Sequence, residues 1–417
     1  MLPDLTPFRR SRELRLVVGG NFISNLGAQA TLVALPYQLY ILTRSAFLVG
    51  LLGAVELVPL VAMSLAGGAL ADRSDRRRLA LLSQIGVLAG AGGLAVAAFL
   101  GDPRLVTLYL LGGLLAGFNA LQNATRSAMI PNLVPDREML PPALAMNYGL
   151  STLSTVVGPG LGGILIGAFG VQAAYTIDAC SCLATVATLL PIAPQPVPAL
   201  EAASENLGRS IVEGLRYVRG NRALVGSFAI DLVAMTFGMP RALFAVLAVS
   251  VYHAGASGTG VLYASVAVGA TVSALLTGWI KHARRLGLIA IWAVAGWGVA
   301  IALAGVVNSL WLAAGMLALA GAADSISAVC RSTINQSVTP DSMRGRMSSV
   351  FGVVVTGGPR LGDIESGTVA AAGGVRFSIV SGGLLCLLGL AVITLAFPQL
   401  SSYSTQDWLD EPVSQTA

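Results

Sequence analysis

Apolar residues in this chain come in long runs, each ending at a short polar or charged segment. Twelve runs stand out, over residues 15–41, 46–70, 79–100, 105–126, 143–169, 172–192, 224–251, 257–280, 287–307, 309–330, 347–371 and 376–397. Each is long enough to cross a bilayer as a helix, which takes about 20 mostly apolar residues. The first is too long for the core of a secretory signal and lacks a small-residue cleavage site, so it is read as a helix. Between the sixth and seventh runs, residues 193–206 (APQPVPALEAASEN) are rich in proline and polar side chains. Beyond them Ser210 and Glu213 have capping-box spacing, and Ile211, Leu215 and Val218 recur at helical intervals beside Arg209, Arg216 and Arg219. That pattern predicts a short amphipathic helix on a membrane surface. The expected fold class is an all-α membrane protein. Residues 1–192 form a six-helix bundle, 193–223 a linker with the amphipathic helix, 224–397 a second six-helix bundle and 398–417 a tail.

Composition removes the alternative of several water-soluble domains. Only 11% of the 417 residues are charged, against about 25% in soluble proteins, and mean hydropathy is +0.77. The net charge of +5 does not point to nucleic acid, because the basic residues sit in short loops without an aromatic-lined patch. Lys281 is the one lysine among 25 basic residues, which reads as genome composition. Cys180 and Cys182 lack the second pair that a zinc site needs. With Cys330 and Cys386 they are taken as packing residues, and no metal or cofactor is expected. With the N-terminus inside, twenty of the 25 basic residues fall in cytoplasmic segments. The positive-inside rule then puts both termini in the cytoplasm.

The two sets of six carry the same text. Gly158-Pro159-Gly160-Leu161-Gly162-Gly163-Ile164-Leu165-Ile166-Gly167 matches Gly358-Pro359-Arg360-Leu361-Gly362-Asp363-Ile364-Glu365-Ser366-Gly367 at six of ten positions. Upstream, Arg126-Ser127 and Pro135-Asp136 return as Arg331-Ser332 and Pro340-Asp341. A six-helix unit has been duplicated.

Between the second and third runs the chain reads Gly68-Ala-Leu-Ala-Asp72-Arg73-Ser-Asp75-Arg76-Arg77-Arg78. This resembles the G-x-L-a-D-r-x-G-r-k loop of the major facilitator superfamily, with Asp75 in place of the second glycine. The resemblance implies two pseudo-symmetric bundles with a substrate site between them, reached by rocking one half against the other. It implies a gating role for the loop: Gly68 for close helix approach, Asp72 for a helix N-terminus, and Arg73, Arg76 and Arg77 for ion pairs that open during transport. Gly158, Pro159, Gly162 and Gly163 resemble the end of the superfamily's antiporter motif, which implies export. Ala145 and Ser154 stand where that motif has earlier glycines, and Gly113 stands where many drug/proton antiporters carry an arginine. Gly260-Val-Leu-Tyr263, Gly269, Lys281-His282-Ala-Arg284 and Gly345-Arg346 resemble the enterobactin-exporter and multidrug-efflux group.

Six carboxylates fall inside the runs: Glu56, Asp178, Asp231, Asp324, Asp363 and Glu365. A charge at the bilayer centre costs about 2.5–3.5 kcal/mol on insertion scales, so each is a functional candidate. Asp231 and Asp324 lie on runs that, in the superfamily fold, line the central cavity, and they are the first candidates for binding a proton or a cationic substrate. Asn21, Asn25, Asn119, Gln122 and Asn123 supply further polar contacts or hold helices together. Glu56 and Arg360 fall at similar depth, counted at about 1.5 Å per residue. They form either an ion pair between the halves when the outer gate closes, or Arg360 pairs with Asp363 at i,i+3 in its own helix. Asp178 and Arg241 fall near the outer interface, where snorkelling explains them, and Pro240 is expected to kink its helix.

These readings converge on a multi-pass transporter of the bacterial cytoplasmic membrane that acts as a monomer. It exports a siderophore-like or amphiphilic drug-like small molecule by proton antiport. An importer or facilitator of the same fold is the alternative. A membrane enzyme or receptor stands behind both, since no Ser–His, di-carboxylate–metal or Cys–His arrangement is found in the spans. No G-x-x-x-x-G-K-[ST] loop for ATP occurs.

Overall fold

The computed structural model describes residues 6–71, 74–101, 103–134, 136–195, 207–340 and 343–402. Among them are sixteen α-helices and no strand. The first seven are α1 (Thr6–Arg10), α2 (Arg12–Thr43), α3 (Ala46–Ala71), α4 (Arg76–Phe99), α5 (Leu105–Leu133), α6 (Leu140–Phe169) and α7 (Val171–Leu189). Next come α8 (Leu207–Gly220), α9 (Arg222–Phe237), α10 (Leu243–Ser250), α11 (Gly255–Leu276) and α12 (Leu286–Val306). The last four are α13 (Leu310–Val338), α14 (Arg344–Gly373), α15 (Val375–Ala396) and α16 (Pro398–Ser402).

The expected all-α membrane fold is what the chain adopts, with a helix on every one of the twelve apolar runs. Among the described residues nine helices are each long and apolar enough to cross a membrane. The seventh apolar run folds in two pieces, α9 and α10. Local chemistry fixes several ends. Ser11, Asp75 and Asn221 cap α2, α4 and α9 by accepting backbone N–H bonds. Gly170 and Gly374 end α6 and α14 with φ of 83° and 89°, a conformation that an L side chain resists, so the chain turns at once into α7 and α15.

The chain forms two compact units: Met1–Ser204 with Ala248–Ala264, and Glu205–Leu247 with Ser265–Ala417. In the first, α2 packs on α6 and α7, α4 on α5 and α7, and α3 on α5. In the second, α9 packs on α14 and α15, and α12 on α13 and α15. Large apolar side chains such as Leu110, Leu275 and Leu395 face outward, while Asn21, Gln84, Gln122, Asp178 and Asp231 are buried. That inversion suits a lipid surround, where polar groups are satisfied inside the bundle.

Four details differ from the sequence reading. The helices over runs four and ten do not stop at residues 126 and 330; α5 and α13 continue to Leu133 and Val338. Polar residues follow the apolar windows there, but they keep helical conformation and bury one face. The amphipathic helix α8 is described from Leu207, so Ser210 lies within it, and the capping contact expected of its side chain falls outside the described residues. Its Val218 is buried with Leu224, Phe228 and Met347, and Tyr217 donates to the Val338 carbonyl at 2.8 Å, so α8 is anchored on the second unit. Finally, Asp178 does not snorkel. It is buried between α2 and α7, where Thr31 donates to Oδ2 at 2.6 Å.

Candidate functional site

In the second unit, α13 carries Asp324, Ser327 and Arg331 at i, i+3 and i+7, which is one helix face. The Arg331 side chain runs back along that face, as helical side chains do. Its Nε donates to Ser327 Oγ at 3.1 Å, one terminal nitrogen pairs with Asp324 Oδ1 at 3.8 Å, and the other pairs with Asp231 Oδ1 of α9. Asp231 and Arg331 are 1% and 4% exposed, whereas the Asp324 side chain is 27% exposed. Asp231 Oδ2 is buried without a hydrogen-bond partner. Within the triad two carboxylates share one guanidinium, one negative charge in excess when both are ionised, and Arg241 also lies near enough to Asp324 to act on it. A proton bound to either carboxylate makes the triad neutral.

A cavity of about 310 Å³ lies at the Val338 end of α13, lined by Phe228, Ser332, Asn335, Gln336, Thr339, Met347 and Phe351. Phe228 lies three residues from Asp231, and Ser332 follows Arg331. Phe228 and Phe351 meet edge to face, 6.3 Å between centroids.

The first unit places an arginine at the same point of the repeat. Arg126 is 9% exposed. It donates to Asn25 Oδ1 at 3.1 Å and Gln84 Oε1 at 3.2 Å. Gln122 also donates to Gln84 Oε1, Gln84 donates to Ser24 Oγ at 3.3 Å, and Asn25 donates to Ser151 Oγ at 3.5 Å. No carboxylate pairs with Arg126 among the described residues. In the sequence Arg126, the last residue of the fourth run, and Arg331, the first beyond the tenth, serve only as markers of the repeat and are not singled out as site residues. The signal was available. Gly20-x-Phe22-x-x-Asn25-Leu26 returns as Gly226-x-Phe228-x-x-Asp231-Leu232, and Asn119 and Arg126 return as Asp324 and Arg331.

The helix of the seventh run breaks at Gly238–Ala242, around Pro240, and the freed backbone groups find partners. Trp297 Nε1 donates to the Gly238 carbonyl at 2.6 Å, and the Ala242 N–H donates to Asp363 Oδ1 at 2.9 Å. Asp363 also pairs with Arg360 at 3.5 Å, the i,i+3 arrangement within α14. Beside this break a Cβ on Gly362 would lie 2.5 Å from the Met235 carbonyl oxygen. The repeat-related Gly162 would meet Ala30 Cα at 2.8 Å, and Gly158 would meet Gln29 at 2.5 Å. The two copies of the motif thus press α6 onto α2 and α14 onto α9. Within the first unit Gly163 also faces Gly260 of α11, 2.9 Å from its would-be Cβ, and Pro159 offers its carbonyl to the same contact.

The remaining candidates are scattered. Glu56 is buried on α3 next to Gly112 of α5, and Asn21 is buried on α2. Asn119 is partly exposed and Asn123 exposed. In the loop motif, Asp72 and Arg73 lie outside the described residues, as do the surroundings of Gly68. Asp75 is the residue that caps α4, accepting from Arg78 N at 3.0 Å. Arg77 donates to the Leu189 and Leu190 carbonyls at 3.3 and 2.5 Å, a cation on the carbonyl end of α7. The Arg76 N–H bonds the Gln195 carbonyl at 3.2 Å.

Comparison with known proteins gives a consistent answer. The chain matches the family described as transmembrane secretion effector over residues 3–416. It is 32% identical over 399 residues to the enterobactin exporter EntS of Salmonella typhi, covering 93% of this chain and 95% of that one. Identity to the EntS of Citrobacter koseri is 30% over 397 residues, with 94% of each chain covered. Among solved structures, a mutant of the nucleoside transporter NupG superposes with a TM-score of 0.76 at 13% identity, covering 93% and 98% of the two chains. A bacterial homologue of the human lysosomal transporter Spinster gives 0.72 at 16% identity, covering 95% and 98%.

Proposed function

Because the chain belongs to the transmembrane secretion effector family of major facilitator transporters, we propose that it exports a siderophore-like or amphiphilic small molecule by proton antiport and alternating access. The observation that carries this reading is the Asp231–Arg331–Asp324 triad. A buried group that is charged without a proton and neutral with one is what a proton carrier requires, since an uncompensated charge opposes movement through a low-dielectric interior. The cavity lined by Phe228, Ser332 and Phe351 combines two aromatic rings with amide and hydroxyl groups, which suits an amphiphile. The names of the relatives support the direction and the substrate class. In this reading the protein sits in the bacterial cytoplasmic membrane with both termini inside, and the cavity opens to the cytoplasm. The loop at Gly68–Arg78 acts in gating.

The test uses inverted membrane vesicles containing the full chain, with an acid lumen and a panel of siderophores and lipophilic cations. Uptake that collapses with the gradient and in Asp231→Asn supports antiport. Uptake indifferent to the gradient makes the protein a facilitator, and movement in the opposite direction makes it an importer.

A further inference from the structure

The duplicated unit offers a comparison of charges at equivalent positions. In the second unit a buried arginine meets Asp231 and Asp324. In the first, the equivalent arginine meets Asn25 and Gln84, and Asn119 stands where the second unit has Asp324. Every replacement removes a negative charge and keeps a polar side chain of similar size. Arg126 keeps its own charge, because guanidinium stays protonated in proteins. Two neutral oxygens occupy two of its five N–H donors and cancel none of the charge. An arginine buried to this degree is ordinarily paired with an acid. Among the described residues no acid pairs with Arg126, and Asp178 is engaged instead by Thr31, so a counter-charge for Arg126 is expected from outside the protein.

We infer that Arg126, with Asn25 and Gln84, forms an anion-binding site in the first unit, and that the transported molecule presents one negatively charged group to it. This rests on the export reading only for the statement that the anion is cargo; the binding itself does not. Guanidinium suits the role, offering fixed parallel donors to a carboxylate or similar oxyanion. Asn25 is only partly buried, so an anion reaches the guanidinium past the Asn25 amide, whose N–H donors add to the site. Gln84 is locked by Gln122 and Ser24, which holds the arginine in place before ligand arrives. Loaded this way, the Arg126 site becomes neutral by taking an anion, as the Asp231–Arg331–Asp324 triad becomes neutral by taking a proton.

The experiment is equilibrium binding to the full chain in detergent, with 1-naphthoate and 4-phenylbutyrate as anions and their primary amides as neutral counterparts. The wild type should bind each carboxylate at least tenfold more tightly than its amide. Arg126→Gln should erase that preference. Asn25→Asp is the decisive variant, because it gives Arg126 the internal counter-ion that its repeat partner has in Asp231. It should stay monodisperse, unfold no earlier than the wild type, and lose the preference at least tenfold. Equal affinity of the wild type for acid and amide, binding of neither, or a preference that survives in folded Asn25→Asp overturns the inference. The measurement uses no gradient, so failure of proton coupling leaves its result standing, and loss of the anion preference leaves proton coupling standing.

Discussion

The two units share a chain path and a packing scheme, and they differ in where charge is buried. In both, an arginine late in the fourth helix of the repeat turns inward, and a Gly-Pro-x-x-Gly motif presses the fifth helix onto the first. In the second unit the arginine meets two aspartates, and the motif carries Arg360 and Asp363 where the first has Gly160 and Gly163. In the first unit the arginine meets amides. Packing has thus been kept through the duplication while electrostatics has diverged. The lesson is that the scaffold and the chemistry are separable: glycine contacts hold helices at a fixed approach, and the polar residues between them are free to specialise.

The largest expected effect separates the two arginines. Arg331→Gln strands the buried Asp231 carboxylate, along with the partly exposed Asp324, and should cost about 3–5 kcal/mol of stability, whereas Arg126→Gln strands only amide oxygens and should cost about 1 kcal/mol. Denaturant or thermal unfolding of the two purified variants measures this directly. Equal losses would erase the distinction drawn between the units. A second comparison sharpens it: Asp231→Asn combined with Arg331→Gln should lose clearly less stability than the sum of the singles, since paired groups couple by about 0.5–3 kcal/mol.

Next in size are the glycines. Gly162→Ala and Gly362→Ala both force a Cβ into backbone, and overpacking of this kind costs about 1–3 kcal/mol. Similar losses in the two variants would show that the packing scheme is common. Asp363→Ala removes the acceptor for the Ala242 N–H where the helix of the seventh run restarts, at about 1.5–3 kcal/mol for a bond to a charged group. Its counterpart in the first unit has no such duty. The smallest effect is Gly160→Ala, whose added Cβ would lie 4.0 Å from its nearest neighbour; it should cost nothing and raise stability by at most about 1 kcal/mol.

Much of the fold was legible in the sequence because lipid imposes a coarse rule: each crossing is a long apolar run, and Pro240 marked a kink in the seventh, where the helix breaks. The site was legible only in part. Asp231 and Asp324 stood out as charges inside apolar runs. Arg126 and Arg331 did not, because each sits where hydropathy falls, and counting by loops assigns such a residue to the surface. What hydropathy misses is that a helix can continue for two turns beyond its apolar window with one face buried. Asp363 is one of the two partners the sequence offers Arg360, the other being Glu56; its bond to Ala242, 121 residues away in the chain, belongs to the tertiary fold alone. The same holds for Asp178, whose partner Thr31 is 147 residues distant.

The central claim is that the proton is carried by the charged triad of the second unit. Its most direct test follows lumenal pH in inverted vesicles, started acid inside, on addition of a transported substrate. The account predicts lumenal alkalinisation coupled to uptake in the wild type, and in Asp231→Asn no substrate-dependent alkalinisation at all. An Asp231→Asn variant that still exchanges protons for substrate at the wild-type ratio would contradict it.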